Sequence, residues 1–352
     1  MSERQIKFVQ ALNEAMDLCM AKDPKVVIIG LGVSDAAAIF GSTKGLAEKY
    51  GPKRVLDMPV SENAITGVVL GAAINGMRPV MTHIRLEFAM LAIDQIVNQA
   101  AKWHYMFGGQ AAAPLVIRMI VGRGWGQGPQ HSQSLHAWFA HVPGLKVIMP
   151  STPHDAKGLL ISAIEDNNPV VCIEHRWLYG IHGPVPEGLY RVPLGQPNVL
   201  RRGKHVTVVA SSYMTLEAVR AADELLKEGL ELEIIDMRTL NPFDETLILE
   251  SVRKTGNLIV LDIGWRSVGF AAEVVARVVE QCLGDLKVPP VRLTLPDLPT
   301  PTTRALSNYY YPLVHDIAAA ARRVAGRPAK PAPEIKPEAF LDVPDPSFTG
   351  PF

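Results

Sequence analysis

The sequence predicts an α/β protein with two doubly wound open-sheet domains, and three observations support this fold class. Short apolar runs rich in β-branched residues alternate with stretches of helical periodicity along most of the chain. Most of these runs are apolar at every position, which is typical of parallel strands covered by helices on both faces. A Gly- and Pro-rich stretch separates an earlier series of such units from a later one.

The first domain is predicted to span residues 1–180. Its strands are expected where the apolar runs lie, at 26–30, 54–60, 78–84, 114–121, 145–150 and 169–174. Its helices are expected where apolar residues recur at helical spacing, at 5–22, 63–75, 89–106 and 154–167.

The second domain is predicted to span residues 205–325, after a linker at 181–204 that lies in a stretch without sustained periodicity. Its strands and helices are expected in alternation, with strands at 205–211, 230–238, 257–263 and 291–296 and helices at 214–228, 244–253, 268–284 and 312–325. Residues 326–352 contain seven prolines, which predicts an extended tail without its own core.

The composition excludes several classes of function. The 352 residues include 35 basic and 35 acidic side chains, so the net charge gives no electrostatic basis for binding nucleic acid or an anionic membrane. The cysteines Cys19, Cys172 and Cys282 form no CxxC pair, which predicts neither a zinc site nor an iron–sulfur cluster. No apolar run is typical of a signal peptide or a membrane span, and we therefore expect a cytoplasmic protein.

Glu62 is the one charged residue between Asp57 and Arg78. It follows Ser61, a typical helix-capping residue, and begins a stretch of small and apolar residues. One interpretation is that the carboxylate complements the dipole of the first helical turn. The other is that the small residues let another backbone approach, so that the desolvated carboxylate pairs with a cationic or proton-accepting group such as a cofactor ring.

A Gly-rich stretch with four glycines in seven residues, at positions 122 to 128, precedes His131. It lacks the GxxxxGK[ST] pattern of a phosphate-binding loop and predicts a mobile or closely packed loop. His131, His136 and His141 recur every five residues, which turns successive side chains by about 140° around a helix and disfavours a shared metal ion. Each is either a structural histidine or, beside the Gly-rich stretch, an acid–base group.

Phe88 lies at the carboxyl end of the strand predicted at 78–84, directly before the helix predicted at 89–106. Ligands of open α/β sheets bind at the carboxyl ends of strands. Phe88 is therefore either a core residue or part of a ligand site.

Four segments together resemble one family: MPVSENAI, FAMLAIDQIVNQAAKWHYMFGGQ, GPQHSQSLHAWFAHVPGLKVIMPSTPHDAKGLL and DMRTLNPFDETLILESVRKTGNLIVLD. They are similar to the β subunit of thiamine diphosphate-dependent 2-oxo acid dehydrogenases, the E1 component of pyruvate, branched-chain and acetoin-type enzymes. The resemblance covers residues 5–325 in order. It implies a transketolase-like pyrimidine-binding domain followed by a transketolase C-terminal-like domain.

The resemblance implies roles for five residues. Glu62 would bind N1′ of the aminopyrimidine ring of thiamine diphosphate and favour the imino tautomer that removes the C2 proton of the thiazolium. Phe88 would stack on the aminopyrimidine, and Val60 and Ile84 would also contact the cofactor. His131 would face the reacting carbons and assist proton transfer or acyl transfer.

The resemblance also implies a structural potassium ion. Its ligands would be mainly backbone carbonyl oxygens, at Leu115, Ala163, Ile164, Asp166 and Asn168. Hard cations prefer such oxygen cages.

The diphosphate–magnesium motif of thiamine enzymes, GDG followed by a distant Asn, does not occur in the sequence. The resemblance implies that an α subunit supplies this half of the site and holds Mg²⁺ in an α2β2 heterotetramer, so that the β chain alone has no activity. The substrate would be a small 2-oxo acid, and a lipoyl-bearing E2 protein would accept the acyl group.

Two features depart from the family pattern. Leu31 lies where the family has an acidic residue, and the tail at 326–352 lies where several family members dock the E2 protein. They leave open a split transketolase or acyloin-type carboligase that uses the same cofactor. A non-catalytic partner of an α subunit is a further alternative, although Glu62, Phe88 and His131 argue for a working site.

Overall fold

The computed structural model describes residues 4–123 and 126–335, together with residues 341, 343 and 344. It contains two large sheets, each flanked by helices, and a separate two-stranded sheet. The predicted fold class, α/β with two doubly wound open sheets, is confirmed. None of the helices in the described part of the chain is long and apolar enough to cross a membrane.

The first large sheet includes all six strands predicted for the first domain. Its strands are β2 (Val26–Gly30), β3 (Val55–Asp57), β4 (Arg78–His83), β5 (Val116–Val121), β6 (Lys146–Ile148), β7 (Val170–His175) and β12 (Thr239–Asn241). The spatial order is β12-β6-β7-β5-β4-β2-β3. All neighbouring pairs are parallel except β12 with β6, so the predicted strands have their carboxyl ends at one edge.

Helices connect these strands and cover both faces of the sheet. They are α1 (Phe8–Lys22), α2 (Leu46–Tyr50), α3 (Glu62–Ile74), α4 (Leu86–Ala89), α5 (Ala101–Met106), α6 (His136–Ala140) and α7 (Pro153–Glu165). A 3₁₀ turn, Met90–Ala92, and a π-helical stretch, Asp94–Ala100, lie between α4 and α5.

Two helix predictions are corrected by the structure. Gln5–Lys7, predicted to begin the first helix, form strand β1, which pairs antiparallel with β8 (His182–Pro184). The helix predicted at 89–106 starts three residues earlier, at Leu86, and is interrupted by the 3₁₀ turn and the π-helical stretch. Phe88 therefore lies within α4 rather than before a helix.

Successive residues of a strand point to opposite faces of the sheet, which explains why the strands are apolar throughout. In β2, Val26 and Ile28 belong to the hydrophobic core that contains residues of α1 and α7. Val27 and Ile29 belong to the core on the other face, which contains residues of α3. All three cysteines are buried and form no disulfide.

The second large sheet has the spatial order β14-β13-β10-β11-β9. Its strands are β9 (Asn198–Arg201), β10 (Val206–Ala210), β11 (Leu232–Asp236), β13 (Leu258–Trp265) and β14 (Val291–Leu295). The α-helices of this part are α8 (Tyr213–Leu226), α9 (Thr246–Thr255), α10 (Phe270–Cys282), α11 (Arg304–Ser307) and α12 (Val314–Val324). Short 3₁₀ turns lie at Arg176–Leu178 and Leu283–Asp285.

The segment predicted as a linker, 181–204, takes part in two sheets. Strand β8 pairs with β1, and β9 forms the antiparallel edge of the second sheet beside β11. The chain also crosses back to the first sheet, because β12 follows β11 along the chain but pairs with β6. The later part of the chain therefore contributes a strand to the first sheet.

Beyond α12 the chain returns along the surface. Residues 326–335 are exposed almost throughout, as the predicted extended tail requires. They are nevertheless held to the protein, because Lys330 Nζ lies 2.6 Å from Glu228 Oε1 and the Tyr309 hydroxyl donates to the Ile335 carbonyl at 3.0 Å. Most of the remaining tail lies outside the described residues.

A fully buried carboxyl group, that of Asp236, lies where β11 ends and the chain crosses to the first sheet. Its Oδ1 accepts hydrogen bonds from the Ser151 hydroxyl at 2.9 Å and from the Arg238 backbone N–H at 3.2 Å. Its Oδ2 has no hydrogen-bond partner among the described residues. Burial, reinforced by the charge of Asp155, raises the pKa of Asp236 to about 8, so the folded protein holds this carboxyl group protonated at neutral pH.

Replacing Asp236 by Asn should change how stability depends on pH. In the unfolded chain an aspartate titrates near pH ~4. The free energy of unfolding of the wild-type protein should therefore fall by about 1 kcal/mol per pH unit between the unfolded-state pKa and about pH 8. Above about pH 8 it should no longer change through this group. The Asn variant keeps the Oδ1 acceptor but does not titrate. Urea unfolding midpoints of both proteins across this pH range test the prediction, which parallel pH dependences would contradict.

Candidate active site

Three predicted site residues follow neighbouring strands of the first sheet. Strands β5, β4, β2 and β3 lie side by side and run parallel, so their carboxyl ends form one edge. Glu62 follows β3, Phe88 follows β4 and His131 follows β5. The rings of Phe88 and His131 are in contact, with centroids 5.6 Å apart and an edge-to-face angle of 70°. The structure therefore places all three residues at the edge where open sheets bind ligands.

Glu62 is the first residue of α3, and only 7% of it is exposed. Ser61 occupies the capping position, but its side chain makes no capping hydrogen bond, so the expected cap is absent. The backbone carbonyl of Glu62 accepts a hydrogen bond from the Thr66 hydroxyl at 2.7 Å. Its carboxylate has no hydrogen bond or ion pair with a described residue.

Buried carboxylates in proteins are normally paired, and the other buried acids of this chain follow that rule. Six further acidic side chains are buried among the described residues, and each accepts a hydrogen bond: Asp155, Glu174, Glu217, Glu233, Asp236 and Asp262. Within that described part of the chain, Glu62 is the exception. Its carboxylate has no partner among these residues and is available to one from outside them.

The two other predicted cofactor contacts, Val60 and Ile84, also lie at this edge. Val60 precedes α3 and is largely exposed, whereas Ile84 follows β4 and is half-buried. Neither side chain is part of the hydrophobic cores. Both remain predictions as cofactor contacts.

Two charged residues that the sequence analysis missed, Arg85 and Glu87, hold the segment that carries His131. Arg85 Nη1 donates to the His131 carbonyl at 3.1 Å, and Arg85 Nη2 donates to Gln127 Oε1 at 2.5 Å. Glu87 Oε1 accepts a hydrogen bond from the Gln133 backbone N–H at 2.7 Å. The signal that could have identified them is a pair of charged residues directly after the apolar strand β4.

Two imidazoles at this edge are kept neutral. His131 is half-buried, and its Nδ1 is buried without a hydrogen-bond partner among the described residues. Burial and the charge of Arg85 lower the pKa of His131 below its ordinary value. His83, at the end of β4, is buried, and burial lowers its pKa to about 4. A neutral imidazole can accept a proton, which suits His131 to acid–base work.

Residues beyond the first sheet also contribute to this edge. Arg123 follows β5 and is only 3% exposed. Its guanidinium lies 4.4, 5.0 and 4.3 Å from the ring centroids of Trp177, Tyr213 and Tyr311. Tyr213 begins α8, and Tyr311 lies between α11 and α12, so this aromatic cage fixes the start of the Gly-rich stretch against the second sheet's helices.

The three regularly spaced histidines have separate surroundings. His131 contacts Phe88, His141 is exposed, and His136 Nε2 lies 2.8 Å from Asp262 Oδ1. Burial alone would raise the pKa of Asp262, but His136 and two backbone N–H donors lower it. The described residues contain no group of three or more His, Cys, Asp or Glu side chains that could hold a metal ion.

Comparisons with known proteins agree with this arrangement. Residues 4–181 match the pyrimidine-binding domain of transketolase, and residues 195–317 match the transketolase C-terminal domain. The β subunit of acetoin:2,6-dichlorophenolindophenol oxidoreductase from Cupriavidus necator is 45% identical over 91% of this chain and 97% of that protein. The chain belongs to the transketolase-like family of E1 β subunits.

Other members of the family confirm the assignment. The mitochondrial pyruvate dehydrogenase E1 subunit β of Bos taurus is 40% identical over 91% of this chain and 90% of that protein. The acetoin enzyme's β subunit from Bacillus subtilis is 39% identical over 93% of this chain and 99% of that protein. This chain is thus an E1 β subunit of the 2-oxo acid dehydrogenase type, and its family uses thiamine diphosphate.

A solved structure supports the fold. A split-gene transketolase, determined as an inactive β4 tetramer, has a TM-score of 0.73 and covers 91% of this chain and 98% of its own. Its sequence is 24% identical, so the likeness shows the fold alone.

The potassium ligands predicted for this E1 β subunit lie at the opposite edge of the first sheet, where α7 ends and β5 and β7 begin. Arg78 Nη1 donates to the carbonyl oxygens of Ile164 at 3.1 Å and Asp166 at 2.9 Å. The Val170 backbone N–H donates to the Leu115 carbonyl at 3.0 Å. Lys146 Nζ also pairs with Asp166 Oδ2, so two cationic side chains already bind these oxygens, and the potassium ion stays a prediction.

Leu31, the departure from the family's acidic position, follows β2 and packs against the hydrophobic core. The carboxylate beside it is Asp57, whose oxygens accept hydrogen bonds from the Gly32 backbone N–H at 2.9 Å and the Ser34 hydroxyl at 3.3 Å. Asp57 thus stabilises the turn after β2, and Leu31 contributes no charge to the site.

Proposed function

We propose that this E1 β subunit forms half of an enzyme that decarboxylates a small 2-oxo acid through thiamine diphosphate and passes the acyl group to lipoamide on an E2 protein. One observation carries the proposal. The residue Glu62 is largely buried and its carboxylate has no partner among the described residues, at the same sheet edge as Phe88 and His131.

The residues at this edge suit thiamine diphosphate, which supplies the electron sink for decarboxylation when it is bound. Glu62 would share a proton with N1′ of the cofactor, because the residue is largely buried and its carboxylate has no competing donor among the described residues. Phe88 would offer an aromatic surface to the aminopyrimidine, with Val60 and Ile84 beside it. His131 would accept or donate a proton at Nε2, since its Nδ1 is buried.

The surface beside Glu62 favours a protein partner. Val60, Val68 and Leu91 are 75%, 62% and 65% exposed, and a Cβ at Gly71 would meet no atom within 4 Å. Apolar residues exposed together next to a site are typical of protein–protein contacts. We infer that an α subunit covers this surface in an α2β2 heterotetramer and holds the Mg²⁺ and the diphosphate, for which this sequence has no motif.

Acyloin chemistry is the second candidate. Two relatives are named for acetoin, and Leu31 replaces the acidic residue of the family pattern. An acyloin-type enzyme or a split transketolase would use Glu62 and His131 in the same way but would transfer the carbon fragment to a different acceptor.

We infer further that a potassium ion stabilises the opposite edge of the first sheet. Its ligands would be the carbonyl oxygens of Leu115, Ala163, Ile164 and Asn168, together with Asp166. The hydrogen bonds already present at this edge hold the segment in a geometry that keeps several oxygens close together.

Replacing Glu62 by Gln should abolish most of the activity and leave the fold intact. The amide is similar in shape but cannot share a proton with N1′, so kcat should fall by about 100-fold or more. Glu250→Gln, a substitution on the exposed face of α9, is the matched control and should leave kcat unchanged. Reduction of 2,6-dichlorophenolindophenol by the reconstituted αβ complex measures kcat, and circular dichroism checks the fold. Wild-type kcat in the Glu62→Gln variant would refute the role of Glu62.

The purified β chain should show no turnover with thiamine diphosphate and Mg²⁺, because half of the site is missing. Addition of the α subunit should create activity and a heterotetramer that sedimentation measures. Acyl transfer from a 2-oxo acid to lipoamide would support the first candidate, and activity restricted to acetoin or an aldehyde acceptor would support the second. Turnover by the β chain alone would contradict both.

Potassium should raise the thermal unfolding midpoint of the β chain, because an ion that binds only the folded state stabilises it by mass action. Choline chloride at equal ionic strength is the control. Differential scanning calorimetry in both salts measures the midpoint, and equal values would exclude the proposed potassium site.

A further inference from the structure

We propose that Arg85 is a positioning residue that fixes His131 at the sheet edge and places a positive charge beside its imidazole. The inference deepens the proposed function and rests on it, because it assigns His131 a proton-transfer role. It concerns the segment 126–133, named here the His131 loop, and the turn 85–88 on which that loop lies.

The geometry of Arg85 suits it to hold the His131 loop at two points. One guanidinium nitrogen binds the backbone carbonyl of His131 itself, and another binds the side chain of Gln127 four residues earlier. A guanidinium presents its donors in a rigid planar fork, so two bonds fix both the distance and the direction of the loop. A lysine at this position would keep the charge but could not form the same pair of bonds.

Two residues close to Arg85 in the sequence also contact the His131 loop. Glu87 accepts a hydrogen bond from the Gln133 backbone N–H, and the Phe88 ring lies against the His131 ring. The turn 85–88 thus meets the His131 loop before, at and after the histidine. The ring that would touch the cofactor and the ring that would move protons are therefore set relative to each other by one short segment.

The charges around His131 favour the neutral form of its imidazole. Arg85 and Glu87 are the charged side chains of the turn packed against it, and Glu62 on α3 forms no ion pair with it. The Glu87 carboxylate accepts the hydrogen bond of the Gln133 backbone N–H instead, and burial raises the pKa of Glu87. Burial and Arg85 both lower the pKa of His131. Arg85 thus both orients His131 and lowers the pKa of its imidazole.

Three variants separate these two effects: Arg85→Gln, which removes the charge, Arg85→Lys, which keeps it, and Gln127→Ala, which removes one bond to the loop and leaves Arg85 in place. At a histidine, diethyl pyrocarbonate modifies the neutral imidazole and not the imidazolium, whose two ring nitrogens are both protonated. The rate of modification at His131, followed by peptide mass spectrometry across the pH range in the full β chain, therefore reports the pKa without any need for activity.

The pH midpoint of His131 modification should move to higher pH in Arg85→Gln and stay near the wild-type value in Arg85→Lys and Gln127→Ala. An unchanged midpoint in Arg85→Gln would overturn the proposal, since the charge of Arg85 would then have no effect on His131. An equal shift in Gln127→Ala would also overturn it, since loop packing alone would then explain the shift. Circular dichroism confirms that each variant is folded.

In the reconstituted αβ complex, Arg85→Gln should lower kcat by about tenfold through misplacement of His131. The acidic limb of its pH–rate profile should also shift to higher pH, and Arg85→Lys should restore that limb. A shifted modification midpoint would support the role of Arg85 even in a complex that turned over no 2-oxo acid. The failure of this inference is therefore distinguishable from the failure of the proposed function.

Discussion

The site depends on one electrostatic constraint, the carboxylate of the largely buried Glu62, which has no hydrogen-bond or ion-pair partner among the described residues. Burial of an ionised carboxyl group costs free energy unless hydrogen bonds or an opposite charge offset it. Glu174 shows the usual solution, because Arg118 binds both of its oxygens, at 2.6 and 2.8 Å, and the Tyr179 hydroxyl donates at 2.6 Å. Glu62 has only the N-terminal dipole of α3. We propose that a cofactor and a second subunit supply the interactions that Glu62 lacks among the described residues.

The sequence was sufficient to predict the parallel strands and the position of Glu62, because both signals are local. Strands covered on two faces must be apolar at every position, and a single acid in a long apolar stretch stands out by contrast. Arg85 could not be assigned in this way. Its partners, Gln127 and His131, lie 42 and 46 positions further along the chain, and only the folded sheet brings them together.

Short edge strands were missed for a related reason. Strands β1, β8 and β12 have three residues each, too few to show alternation, and each forms because a partner strand offers unpaired backbone groups. The Gly- and Pro-rich composition of 181–204 correctly indicated irregular backbone but gave no sign of the pairing at both of its ends. The helical position of Phe88 was missed because helical periodicity locates a helix better than it locates the first turn.

The pairing of β12 with the first sheet limits where this chain could be cut into two pieces. A cut near residue 200 would leave the first sheet without its last strand and expose the free backbone groups of β6, a surface that invites aggregation. The piece containing the second sheet would carry β12 with nothing to pair against. The first sheet is therefore complete only when both halves are present, and a chimera with a related subunit should take β6 and β12 from the same parent.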